Sequence, residues 1–167
     1  AHRITFDTVS PYVQTPEKVE NRTYDKHTFS MKIKELDFEN LASEKILGGL
    51  DDAFTYKQLE NAVWFFSEKY RGATEDETVE IIKWLARSNY QLRFSEEGDI
   101  SERVIFPISE NESKGLEDAR FVRFQDEDGS VTYFATYTAY NGFTILPQLL
   151  TTKDFLSFRV ATLNGGA

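Results

Sequence analysis

The sequence predicts an α+β fold, and three observations carry that expectation. A helical apolar period runs from about Tyr24 to Asn89, short alternating segments fill the chain from Tyr90 onward, and Gly-bearing turn signals separate those segments. The expected organisation is therefore a strand and loop over 1–23, a helical region over 24–89 and β-strands over 90–167. At 167 residues, with 40% hydrophobic and 14% aromatic content, the chain is one domain's worth and has enough apolar mass for a core.

The elements follow in order. Residues 3–9 (RITFDTV) alternate as a strand, and 10–22 (SPYVQTPEKVENR) read as a loop broken by Pro11 and Pro16. Residues 24–36 and 39–49 predict two short helices, the second stopped at Gly48-Gly49. Thr55 and Gln58 form a capping box that opens a helix with Leu59, Val63, Phe66 and Tyr70 on one face. Thr74 and Glu77 repeat the device ahead of Val79, Ile82 and Leu85, and Trp64 and Trp84 are expected in the core. Strands are expected at 90–94, 103–108, 119–124, 131–140, 143–150 and 157–163, with Asp128-Gly129 and Asn141-Gly142 as hairpin turns. Short, evenly spaced strands fit a sandwich, a barrel or a propeller blade.

Composition removes several function classes. Acids outnumber bases 28 to 19, a formal charge of −9, so the chain lacks the basic footprint of a nucleic-acid binder and is repelled by an anionic membrane. No cysteine is present, which excludes disulfides, thiolate metal sites and thiolate nucleophiles; two histidines make an imidazole metal site a poor expectation. No apolar run reaches the roughly 20 residues of a membrane span, and the cytoplasm is the expected compartment. The sequons at Asn21 and Asn111 are short enough to occur by chance, and DEDG at 126–129 is read as a turn, since the rest of a calcium loop is missing.

The segment KGLEDARFVRF (114–124) carries the candidate chemistry. In a regular strand Asp118 and Arg120 share one face while Glu117 and Ala119 share the other, so Asp118 with Arg120 is the functional pair and Glu117 with Asp118 is not. Gly115 permits a sharp entry. Local pattern alone favours a salt-bridged strand end. A cation beside an acid also stabilises the charged form, which opposes general-acid work unless the cation is engaged elsewhere.

GLEDARF at 115–121, with YFATYTAYNG at 133–142, resembles glycoside hydrolase family 130, which comprises mainly inverting phosphorylases of β-mannosides and some mannosidases. WLARSNYQLRF at 84–94 looks like the larger subgroup with a helical insertion, and the likeness covers most of the chain. The resemblance implies a five-bladed β-propeller, here partial, carrying an α-helical insertion. It makes Asp118 the proton donor, acting through a hydroxyl of the bound mannose while inorganic phosphate attacks from the other face. It gives Arg120 an ordering role, Glu117 a supporting one, Tyr137, Thr138 and Tyr140 positions along the sugar cavity, and Arg93 and Arg103 a weaker match to an anion site. The implied ligands are a small β-mannoside and phosphate as co-substrate, with no cofactor and no metal. A β-mannoside hydrolase of the same family, or a non-catalytic carbohydrate-binding or assembly module, is the alternative.

A five-bladed propeller needs roughly twenty strands at four per blade, against about eight legible here. The chain is therefore expected to be an internal fragment, inactive alone, with open sheet edges that invite self-association.

Overall fold

The computed structural model describes residues 5, 8–19, 23–70, 76–143 and 145–165. Strand β1 (Glu17–Lys18) interrupts the expected N-terminal loop. Strands β2 (Thr23–Asp25) and β3 (Ala53–Thr55) pair antiparallel, and each runs directly into a helix. Asp25 caps α1 (Lys26–Glu35), accepting from the Thr28 amide at 2.7 Å. Asn40 caps α2 (Leu41–Gly48) by accepting from the Ala42 and Ser43 amides. Thr55 and Gln58 form the expected capping box on α3 (Tyr56–Lys69). Helix α4 (Asp76–Ser88) completes the unit; the expected cap Thr74 lies outside the described residues.

Each helix turns its apolar stripe to one shared core. Leu59, Val63 and Phe66 of α3, Ile82 and Leu85 of α4, and Phe29 and Ile33 of α1 are buried there, each contributing about 1.5–3 kcal/mol if fully removed from water. Phe54 stacks on Tyr24 at 5.3 Å and meets Phe29 edge-on at 5.4 Å. Trp64 departs from expectation. It sits one position round the helix from Val63, outside the apolar stripe, and is 58% exposed beside Phe65. Trp84 does pack against the core, half-buried, and its indole N–H donates to Asn111 Oδ1 at 2.7 Å.

The second unit is a sheet of β1 with β4 (Tyr90–Arg93), β5 (Gly115–Gln125), β6 (Val131–Tyr140), β7 (Ile145–Thr152) and β8 (Ser157–Thr162). Its order is β1-β4-β8-β7-β6-β5, antiparallel throughout, and β5 to β8 form an up-and-down meander. The Asp128-Gly129 signal builds a three-residue loop closed by Asp126 N–H to Ser130 O at 2.9 Å, with Gly129 at φ 83°, a left-handed position that suits glycine. Pro147 is tolerated in β7 because β8 ends at the level of Gln148, so no ladder partner stands beside the proline on that side.

Two expected strands differ. Residues 3, 4, 6 and 7 of the first lie outside the described residues, and Thr8 to Ser10 carry no strand. Among the described residues, 103–108 make one bridge, Arg103 with Gln14, because Pro107 has no N–H to offer and the β4 edge is already taken by β1. The expected strand at 119–124 extends back to Gly115, past the acids. Polar contacts join the two units: Thr162 N–H donates to Asn89 Oδ1 at 3.0 Å, and the Lys32 ammonium donates to Leu163 O at 2.6 Å. Among the described residues no helix is long and apolar enough to cross a membrane.

Candidate functional site: a cleft at a β-bulge

The strand carrying the acids is not regular. Glu117 pairs with Thr138 and Arg120 with Thr136, so Asp118 and Ala119 together face the single residue Tyr137. This is a β-bulge, which adds one residue and reverses the alternation beyond it. Asp118 takes the bulged position in the left-handed region, φ 56°. Such a conformation costs a non-glycine residue about 1–2 kcal/mol, and aspartate adopts it more readily than most.

The bulge corrects the expected Asp118–Arg120 pairing. Cross-strand partners share a face, so Arg120 lies with Thr136, on the side opposite buried Ala135 and Tyr137. Leu116 and Phe121 both pair with buried alanines, Ala139 and Ala135, which one residue of slippage alone allows. Asp118 borders an open cleft of about 420 Å³ together with Leu116, Glu117, Phe121 and Tyr137, and Arg120 takes no part in it. The cation is thereby removed from beside the acid.

Along β4 to β8 the cleft has two ends. Tyr137 lies opposite the bulge, while Phe94, Phe155 and Phe158 close the far end, with Phe94–Phe158 edge-on at 5.8 Å. Arg103 belongs to that aromatic end. Its Nη1 donates to Phe155 O at 3.0 Å, its Nε donates to Gln14 Oε1 at 3.3 Å, and its guanidinium lies 5.9 Å from the Phe94 ring centroid. A guanidinium has five N–H donors, so this one keeps capacity for a ligand.

The remaining expected residues separate. Tyr137 is in the cleft wall, but Tyr140, an odd number of residues away on the same strand, faces the other side and donates to Gly142 O at 2.9 Å. Thr138 lies on that same outer side, paired with Glu117 and Pro147. Arg93 is exposed at the end of β4, paired with Glu17 and Ser157, and borders a different groove. Arg93 and Arg103 therefore do not form one anion site.

Glu112 is the residue that sequence reasoning missed. It is completely buried, and four donors converge on it: the Tyr90 hydroxyl at 2.7 Å and the Tyr137 hydroxyl at 2.5 Å on Oε1, and the Ile108 and Ser109 amides at 3.0 and 2.9 Å on Oε2. That donor set is the complement of an acceptor-only carboxylate. Burial, together with the charge of Glu112, pushes the Tyr90 and Tyr137 phenols well above the ordinary tyrosine range, so both protons stay in place as donors. The signal was legible as Ser109-x-x-Glu112, a capping-box spacing. Neighbouring Asn111 is buried and donates to Ser88 Oγ at 2.6 Å, a position incompatible with a glycan on its sequon; Asn21 of the other sequon lies outside the described residues.

Among the described residues no group of three or more His, Asp or Glu is placed to hold a metal ion. No family model, curated protein or solved structure matches this chain.

Proposed function

We propose that the bulge cleft is the proton-donor side of a carbohydrate-cleaving site, acting on β-mannosides by inverting phosphorolysis as in glycoside hydrolase family 130. One observation carries the reading: Asp118 borders a cleft walled by aromatic rings, not an ion pair with Arg120 at a strand end. The four-stranded meander β5 to β8 has the size and connectivity of one propeller blade, which supports a partial five-bladed propeller with the helical unit as its insertion.

In this reading Asp118 gives its proton, through a hydroxyl of the bound mannose, to the glycosidic oxygen as the bond to the anomeric carbon breaks. A phosphate oxygen forms the new bond from the opposite face and yields mannose 1-phosphate of inverted configuration. Phosphate takes the place of the second carboxylate and water of an inverting hydrolase, so one positioned acid suffices. Tyr137 walls the sugar position and Arg103 is the cation within the same cleft. Glu117 borders the bulge and supports Asp118, while Arg120 and Tyr140, on the outer face of the sheet, take no part.

The test compares the wild type with Asp118→Asn, in this chain and in any longer protein carrying it, on β-mannobiose with and without inorganic phosphate. The expected result is phosphate-dependent mannose 1-phosphate in the wild type and a loss of at least about 100-fold in the variant, the scale of general-acid catalysis. Free mannose without phosphate means a hydrolase. No turnover in any form, with saccharide binding retained, leaves the non-catalytic module.

A further inference from the structure

Cations of this acidic chain collect at a second cavity. About 520 Å³ opens between the helical unit and the β1–β4 edge of the sheet, where Lys18, Lys57 and Arg87 meet Glu60, Asn89 and Tyr90. Against an overall 28 acids to 19 bases, this cavity holds three cations and one carboxylate.

These cations are also poorly neutralised. Lys34 pairs with Glu39 at 3.3 Å and Lys83 with Glu80 at 3.0 Å, while Lys45, Lys114 and Lys153, like the cations here, make no close ion pair among the described residues. Lys57 has no ion pair or side-chain hydrogen bond among the described residues. Lys18 lies 5.8 Å over the Tyr90 ring, and Arg87 has only Glu110 at 3.9 Å, a carboxylate mostly in solvent. Arg87 in the last turn of α4 complements that helix's dipole, but the first turn of α3, which presents Lys57, adds partial positive charge to the same cavity. Three cations from three separate elements line one cavity with a single carboxylate, Glu60, so a bound anion lowers their mutual repulsion.

We propose that this cavity binds a small phosphate-bearing anion. Two ammonium groups and a guanidinium match a dianion better than a single carboxylate, and the guanidinium fork suits phosphate oxygens. The volume lies within the usual range for small-molecule sites, which leaves room for a group of hexose size on the phosphate. The inference is independent of the reading of Asp118, although Tyr90 walls both cavities.

The experiment is an amide-resolved NMR titration of the folded chain with inorganic phosphate, mannose 1-phosphate and, as a neutral control, mannose. Saturable shifts at Lys57, Arg87 and Asn89 are expected with the phosphorylated probes, weakening as salt rises. Lys57→Gln or Arg87→Gln alone should weaken binding about fivefold or more, and Glu60→Gln should tighten it. These are exposed positions, so the fold is retained and a loss is read as lost binding. Equal affinity for both probes assigns the site to free phosphate; at least about tenfold tighter binding of the ester assigns it to a phosphorylated sugar. No saturation up to millimolar phosphate and ester, unchanged affinity in the lysine and arginine variants, or the same shifts with mannose would overturn the proposal.

Discussion

Asp118 combines an acid in a cleft with a strained backbone, and the two properties separate by mutation. Asp118→Gly removes the penalty of the left-handed conformation, so the chain should be no less stable than the wild type in urea while the proposed chemistry is lost. Asp118→Val should lower stability by about 1–2 kcal/mol, since a β-branched residue resists φ 56°. If both variants unfold at the wild-type midpoint, the strain is absent. Tyr90 and Tyr137 give a second residue-level expectation. Their folded-state pKa values are raised by burial above the unfolded value of about 10, so the stability they contribute is complete below that pH and falls as pH rises above it. Alkaline unfolding followed by circular dichroism should be less steep in Tyr137→Phe than in the wild type.

At the scale of elements, the caps and the bulge act on different properties. The helices start where side chains satisfy orphan amides, and removing the Thr55 cap should cost about 1 kcal/mol in denaturant without altering the cleft. The capping sequences were readable because each motif is local: four consecutive residues contain both donor and acceptor. The bulge was not readable. Nothing in GLEDARF announces that two residues will oppose Tyr137, because a bulge is a property of the strand pair, and the pairing is set by which side chains of β5 and β6 fit the core. With Leu116 and Phe121 both apolar and five residues apart, a regular strand cannot turn both inward; a reader attending to that odd spacing could have suspected the slip.

For the whole molecule, the helical core, the separate core of the sheet around Tyr90, Leu92, Tyr137 and Val160, and the open sheet edge matter most. Strand β5 forms one edge of the sheet, eleven residues long, and exposes Val122 and Phe124 on its outer face with Phe134 of β6 beside them. A long apolar edge is a template for pairing, so the chain should associate with rising concentration, and Val122→Lys should shift it toward monomer. Sedimentation velocity over a wide concentration range checks this, and a monomer throughout would count against it.

The sequence by itself determined the helical stretch, the strands from Tyr90 onward other than 103–108, the capped start of α3, the hairpin between β5 and β6, and the segment in which the candidate acid lies. Periodicity, caps and turns are short-range physics, and short-range physics is written in neighbouring residues. Tertiary structure alone decided which of those residues meet. It took Arg120 and Tyr140 away from Asp118, brought Arg103 into the cleft, buried Glu112 beneath two tyrosines from different strands, and left Trp64 in solvent. Each outcome depends on register and on contacts between residues far apart in the chain, and these are fixed only when the two cores pack.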